Sequence, residues 1–343
     1  MFAPAGIPPG EYLLTATVYG TGSLQEIPVL DAAGAAASTE YTAATIAVTA
    51  ATFPPTVQDV AIGHELRYHL NRQVEILGYE LSSDELRCGD MLGIELVWQA
   101  QRAMDQDYVL HLELRDADGN TAAEALLPPA NEYHPTSRWQ PGEILRAPHD
   151  LLIDAAVPTG QYRLFVNLLG AGGDKLVADG LPIDKVMVQC RSRQYSEPEF
   201  HFHQLAAIGE SVALVGYELD RTQLRPGDSL LLTLYWRATG SMGTSYTAFT
   251  HLLDAGHQIR GQTDSVPCAG SCPTTSWLDG EFLADQYSIT VDADAPAGEY
   301  QIGIGMYDPK TMVRLPAFAE AGGRWADDRI LLNVKLTVAG EGS

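Results

Sequence analysis

Apolar and polar residues alternate in short runs along most of this chain. In residues 228–238, Leu230, Leu232, Leu234 and Trp236 fall on one face, while Leu231, Thr233, Tyr235 and Arg237 fall on the other. Leu92, Ile94, Leu96 and Trp98 repeat the apolar face earlier in the chain. The same alternation runs through Tyr12, Leu14, Ala16 and Val18, through Tyr162, Leu164, Val166 and Leu168, and through Tyr300, Ile302, Ile304 and Met306. A period of two with one apolar face marks half-buried strands of an antiparallel sheet. Gly, Pro, Asp and Asn break the runs at the spacing of a β-sandwich. No helical period of useful length is present, although residues 63–71 (GHELRYHLN) could hold a turn of helix.

The runs belong to a repeat. ILGYELSSDELRCGDMLGIELVWQA (76–100) aligns with LVGYELDRTQLRPGDSLLLTLYWRA (214–238) at an offset of 138, with 12 of 25 positions identical. The offset continues through Pro135–Trp139 and Pro273–Trp277, then Pro158–Tyr162 and Pro296–Tyr300. A fixed offset over so long a stretch is a repeat signature. Residues 7–20 (IPPGEYLLTATVYG) match only the end of a copy, as do residues 41–50. The expected fold is all-β: tandem immunoglobulin-like antiparallel β-sandwiches, with a partial copy at 1–52 and complete copies at 53–190 and 191–343. The partial copy cannot bury both sides of a sandwich. Its apolar face of Tyr12, Leu14, Val18, Ile46 and Val48 is therefore a candidate assembly face. Three readings follow, in order of preference: a cut from a longer array, docking on the next copy, and strand supply by another subunit.

Charge and composition narrow the function classes. The chain has 343 residues, 45% of them apolar, enough for packed cores. With 21 Lys and Arg against 44 Asp and Glu, the net charge is −23. That disfavours nucleic acid, whose phosphates need basic partners, and anionic membranes. No apolar run is long enough to span a bilayer. MFAPAGIPPGEY lacks the basic and apolar regions of a signal peptide, so a longer parent polypeptide is expected.

The four cysteines are read as those of an exported protein. Cys268 and Cys272 lie in one long loop, where a local disulfide is favoured over a zinc site lacking a second ligand pair. Cys88 follows an early strand and Cys190 lies on the last strand of its copy. If first and last strands run parallel these two can pair; two buried thiols is the alternative. Asp116–Asn120 imitates the start of a calcium loop but lacks its closing glutamate, so a turn is favoured. His201 and His203 have no visible third metal ligand. Glu143 and Glu281 recur at matching places, which suits a structural role better than a glycosidase pair. No hydrolase elbow, zinc-protease, phosphate-loop or dinucleotide motif is present. No cofactor, metal ligand set or catalytic residue is assigned. Among the tryptophans, Trp98 and Trp236 are expected between sheets, and Trp139 and Trp277 as loop clamps. Trp325, without a counterpart in the middle copy, is the first choice for an exposed, ligand-facing aromatic.

The last copy carries G-Y-E-L at Gly216–Leu219, L-R-x-G-D at Leu224–Asp228 and L-x-W-x-A at Leu234–Ala238. It continues with His251–Asp254, Asp264–Pro267, Pro273–Trp277, Pro296–Tyr300 and Tyr307–Thr311. This set resembles tandem immunoglobulin-like β-sandwich modules of large bacterial surface proteins, and C-terminal modules of some predicted membrane glycosyltransferases. The middle copy departs from it at Glu113–Asp116 and Leu169–Ala171. The resemblance implies a fold and an extracellular or cell-surface location, and no activity. The expected function is a non-enzymatic structural or adhesive module: a spacer, stalk or fibre subunit. Its partners would be other copies of the repeat or neighbouring subunits. A carbohydrate-binding module that takes glycans is the alternative.

Overall fold

The computed structural model describes residues 4–19, 26–27, 29–30, 36–38, 40–51 and 54–340. The chain is all-β. The N-terminal stretch holds β1 (Gly10–Tyr19), β2 (Glu26–Ile27), β3 (Val29–Leu30), β4 (Ala36–Ser38) and β5 (Glu40–Val48). Next come β6 (His64–Leu70), β7 (Val74–Leu81), β8 (Glu85–Arg87), β9 (Met91–Ala100), β10 (Val109–Arg115), β11 (Thr121–Leu127), β12 (Ile144–Leu152), β13 (Gly160–Leu169) and β14 (Leu181–Gln189). The last part holds β15 (Phe202–Ile208), β16 (Val212–Leu219), β17 (Gln223–Leu224), β18 (Ser229–Ala238), β19 (Thr247–Leu253), β20 (Ile259–Ser265), β21 (Phe282–Thr290), β22 (Gly298–Tyr307), β23 (Ala317–Ala319) and β24 (Ile330–Val338). The described residues fall into two compact units, 4–16 with 42–191 and 17–41 with 192–340. Among them no helix is long and apolar enough to cross a membrane.

In the first unit a four-stranded sheet, β12-β9-β7-β6, faces a five-stranded sheet, β11-β10-β13-β14-β8. The two apolar faces meet: Leu92, Ile94, Leu96 and Trp98 share one core with Leu110, Leu112, Tyr162, Leu164, Val166 and Val186. The second unit repeats the plan with β21-β18-β16-β15-β23 against β17-β24-β22-β19-β20. There Leu230, Leu232, Leu234 and Trp236 meet Tyr300, Ile302, Ile304 and Leu336. Period-two alternation thus builds two sandwiches, each closed by the mutual burial of inner faces. In each, a short strand joins the last strand in parallel, β8 on β14 and β17 on β24.

The recurring motifs are backbone devices. Gly89 and Gly227 turn with φ of 89° and 85°, a conformation that favours glycine. The following Asp90 and Asp228 each accept the main-chain N–H of the residue three back, at 2.7 and 2.8 Å. In P-x-G-x-Y the tyrosine hydroxyl donates to the carbonyl four residues upstream: Tyr162 to Pro158 at 2.8 Å and Tyr300 to Pro296 at 2.7 Å. Tyr12 does the same to Pro8 at 2.7 Å. This is the tyrosine-corner bond of β-sandwiches. The glycine of G-Y-E-L sits at a bulge in β7 and in β16. There the preceding segment crosses the strand so closely that a Cβ on Gly78 would overlap Ile62 and the His64 carbonyl, and one on Gly216 would overlap Phe200.

One expectation is corrected. Residues 63–71 hold no helical turn; His64–Leu70 is an edge strand on β7. A bulge between Glu65 and Tyr68, with Arg67 at φ 67°, breaks the alternation that would have marked it. Residues 193–200 are tied to the second unit. Arg193 donates to the Ser276 carbonyl and to Glu281, Gln194 bridges Phe282, and Phe200 is buried with its ring stacked on Tyr235.

Replacing Gly78 or Gly216 by alanine is expected to destabilise the sandwich that holds it by about 1–3 kcal/mol, the cost of forcing atoms into a filled space. Gly243, whose Cβ would meet open space, serves as a near-neutral control. Denaturant unfolding of the three variants checks this, and a silent Gly216→Ala would remove the close-approach account.

Candidate functional site

The cysteines are joined in two pairs. β8 and β14 run parallel with Arg87 opposite Gln189, so the next residues, Cys88 and Cys190, meet at one end of the sandwich. Their Cα atoms lie 5.1 Å apart across a sequence separation of 102. Cys268 and Cys272 close a tight loop, with Cα atoms 5.3 Å apart at a sequence separation of 4. That loop is tied to the core: Cys268 N–H donates to Asp285 at 2.7 Å, and the Trp277 indole donates to the Cys272 carbonyl at 3.0 Å.

The P-T-x-x-W residues hold the same loop in both sandwiches. Thr136 accepts the Tyr108 N–H at 2.8 Å, and Thr274 accepts the Tyr246 N–H at 2.9 Å. Trp139 donates to the His134 carbonyl, the counterpart of the Trp277 bond, and both tryptophans are buried. Glu143 and Glu281 accept the N–H three residues back, from Gln140 at 2.7 Å and Leu278 at 3.1 Å. Each carboxylate also meets a cation or imidazole, His134 for Glu143 and Arg193 for Glu281. These glutamates brace turns.

Trp325, expected as an exposed aromatic, is half-buried against the second core, and its indole nitrogen is enclosed. The segment that carries it folds back so that β23 pairs with β15, while Trp325 N–H bonds the Ala317 carbonyl. Asp116 accepts the N–H groups of Asp118 and Asn120 at 2.9 and 2.8 Å, which makes 116–120 a hydrogen-bonded turn. His201 pairs with Glu218 at 2.7 Å, and His203 packs on Phe200 instead.

One group of metal-ligand type exists among the described residues: His111, Glu113 and Glu124. Glu113 and Glu124 stand directly opposite each other on β10 and β11. However, Glu113 already meets Arg115 at 2.5 Å and Lys175 at 3.5 Å, and His111 lies 2.9 Å from Glu124. Burial pushes the Glu113 carboxyl up, and Arg115, His111 and Lys175 outweigh it, holding it below its ordinary range. Glu113 is thus already engaged by Arg115 and Lys175, and His111 by Glu124.

A row of positive charge lies beside it. Register places Arg115 opposite Arg163 on β13, and Arg163 opposite Lys185 on β14. The Arg115 guanidinium lies over the Phe165 ring at 4.3 Å and is held by Glu113 and the Asp179 carbonyl. Among the described residues no ion pair engages the Arg163 or Lys185 side chain, and both residues are exposed. With Gln161 and Phe165 these three border a shallow concavity of about 400 Å³. Sequence reading missed the row because its members are 48 and 22 positions apart (163 − 115 and 185 − 163), and only strand register joins them. The candidate assembly residues Tyr12, Leu14 and Val48 are half-buried, while Ile46 and Val18 are 37% and 59% exposed.

Buried titratable groups differ between the sandwiches. His149 is buried in the first, and burial lowers its pKa to about 4. The second holds Tyr287 at the matching position, bonded to the buried Asp285, which also accepts from Trp236. It also holds His251 beside Asp264 at 3.9 Å. Burial, with Arg314 and Arg329, lowers His251 to about 4, while burial raises Asp264 to about 6.

No family model matches the chain, and no curated protein matches it. A solved structure similar to it is the adhesin InvE of Yersinia pseudotuberculosis, with 11% sequence identity and a TM-score of 0.20 over 76% of this chain. The match spans 59% of that structure's chain.

The first sandwich is expected to lose stability in mild acid. A histidine with a folded pKa of about 4 against an ordinary 6.5 binds its proton more readily when unfolded. Its favourable contribution is full above pH 6.5 and is lost as pH falls from 6.5 to 4, by about 3 kcal/mol. In the second sandwich Asp264 opposes His251, since a raised carboxyl favours the folded state as pH falls. Calorimetry between pH 4 and 7 should show one transition falling more steeply than the other, and His149→Phe should flatten it. An unchanged slope in that variant would assign the pH dependence elsewhere.

Proposed function

We propose that the chain is a non-enzymatic structural or adhesive module of an extracellular surface protein, a spacer, stalk or fibre unit. The observation that supports this best is what the recurring residues do. Tyr162 and Tyr300, Asp90 and Asp228, Trp139 and Trp277, and Glu143 and Glu281 all bond their own backbone. What recurs is architecture, and a module selected for chemistry would repeat its reacting groups. The domain reading is a partial immunoglobulin-like copy at 1–52 with full copies at 53–190 and 191–343. Four cysteines in two pairs suit an oxidising compartment, and the net charge of −23 suits a protein that stays dispersed outside the cell. Neighbouring subunits or further copies of the repeat are its partners in this reading.

The test is location and redox state in the native cell. Protein on intact cells should be cleaved by added protease and should show no free thiol to a maleimide until it is reduced. An intracellular pool with four reactive thiols would overturn the proposal.

A second reading, an accessory carbohydrate-binding module, is favoured by the Arg115–Arg163–Lys185 row with its Phe165 platform. In a chain so acidic, like charges set opposite one another on adjacent strands carry a cost, which a bound anion would relieve. The ligand class is a carboxylate- or sulfate-bearing glycan. Binding to a polyuronate should weaken about tenfold or more in Arg163→Glu and Lys185→Glu and fall with added salt. Equal binding of neutral and acidic glycans would dismiss it.

A further inference from the structure

We infer that the strand pair β1–β5 is the receiving half of a sandwich. Its partner is the other half: a four-stranded sheet of this repeat's own type, accompanied by a strand that pairs with β1. The inference stands on the repeat and on geometry, and does not depend on surface location, so the two fail separately.

The same local construction occurs three times. The tyrosine-corner bonds of Tyr12, Tyr162 and Tyr300 open β1, β13 and β22. Each opening strand lies beside a later one: β1 beside β5, β13 beside β14, β22 beside β24. Ile46 and Val48 hold the places of Val186 and Val188, and of Leu336 and Val338.

The surroundings differ. Val186, Val188, Leu336 and Val338 are at most 1% exposed because a facing sheet covers them. Ile46 is 37% exposed, Ala16 is exposed, and Tyr12 and Leu14 are only half-buried. The edge differs as well. β10 lies along β13 from Arg163 to Leu169, and β19 lies along β22 from Gln301 to Tyr307. On the matching side, β1 pairs with β2 only at Val18 and Tyr19, so among the described residues that edge is open from Glu11 to Ala16. An open apolar face and an open edge on the same strand are what the first two-thirds of a copy would cover.

The receiving half is held in place. Gly6 accepts the Arg146 N–H at 2.7 Å, and Asn131 donates to the Pro9 carbonyl and the Tyr12 hydroxyl, each at 3.1 Å. Ala5 packs on the small cluster of Val60, Leu77, Val97 and Ile144.

The occupant follows from the same comparison. Both sheets of the required type within the chain are already committed, since Leu92, Leu96, Trp98, Leu230, Leu234 and Trp236 are 0% exposed. The partner therefore comes from outside the described residues. Among the described residues, a second copy could offer only its own ribbon. Two ribbons of three strands and about ten residues would bury roughly 900 Å² together, on strand spacings of about 4.8 and 3.3 Å, below what stable dimers use. A half-module covers face and edge together.

The experiment appends that half to the full chain. A duplicate of residues 192–294, and in a second version of residues 54–156, is joined ahead of Pro4. Hydrogen exchange at residues 11–16 and 44–48 should slow at least 100-fold, and a third cooperative unfolding unit should appear. Leu14→Asp should abolish both gains while leaving the two existing sandwiches unchanged. If both appended halves stay protease-sensitive and exchange at residues 11–16 is unaltered, the inference is overturned. It is also overturned if residues 1–343 alone associate with rising concentration and protect those amides, because a second copy is then the occupant.

Discussion

An apolar sheet face must be covered by a second sheet, and every other feature of this chain hangs on that requirement. Each sandwich buries a leucine row and one tryptophan, Trp98 or Trp236, against tyrosine and aliphatic residues of the opposite sheet. At roughly 25 cal/mol per Å² of apolar surface, this contact outweighs any single hydrogen bond at the periphery. The peripheral bonds act on what the core leaves undetermined. Tyrosine corners and aspartate-braced glycine turns fix where strands begin, and the threonine–tryptophan loop clamps close the end of the barrel-like layer pair.

The two sandwiches solve one packing problem with different chemistry. Trp236 donates its indole N–H to Asp285, whereas the buried Trp98 indole N–H has no hydrogen-bond partner among the described residues. At the places of Asp285 and Tyr287 the first sandwich carries Ala147 and His149. The pair in the second sandwich also accepts the Cys268 N–H, so the core carboxylate anchors the disulfide loop. Divergence is concentrated in buried polar groups while apolar positions stay aligned, as expected when volume is conserved and hydrogen bonding is locally re-solved.

Much of this was legible in the sequence, for stated reasons. Period-two alternation marked the strands, and a fixed offset marked the repeat. Cys88 and Cys190 were readable as a pair because the parallel approach of β8 to β14 follows from the sandwich plan. Edge strand β6 was misread because a bulge and the left-handed Arg67 interrupt its period. Trp325 was misjudged because a residue without a counterpart in the sister copy need not be exposed; its segment folds back on the core through β23. Features made by register, such as the Arg115–Arg163–Lys185 row, stay hidden until strand pairing is known.

The placement of the disulfides has a mechanical consequence. If the chain is pulled from its two ends, tension that reaches Cys88 crosses to Cys190 through the covalent bridge, which carries the load past β9 to β14. At about 3.5 Å per extended residue, roughly 360 Å of contour length is locked away while the bridge is intact. The second sandwich has no such bypass, since its disulfide spans only four positions. Under stretch, the two repeats are therefore unlike springs: one can release only β6 to β8 until its bridge is reduced, and the other yields its strands to force alone.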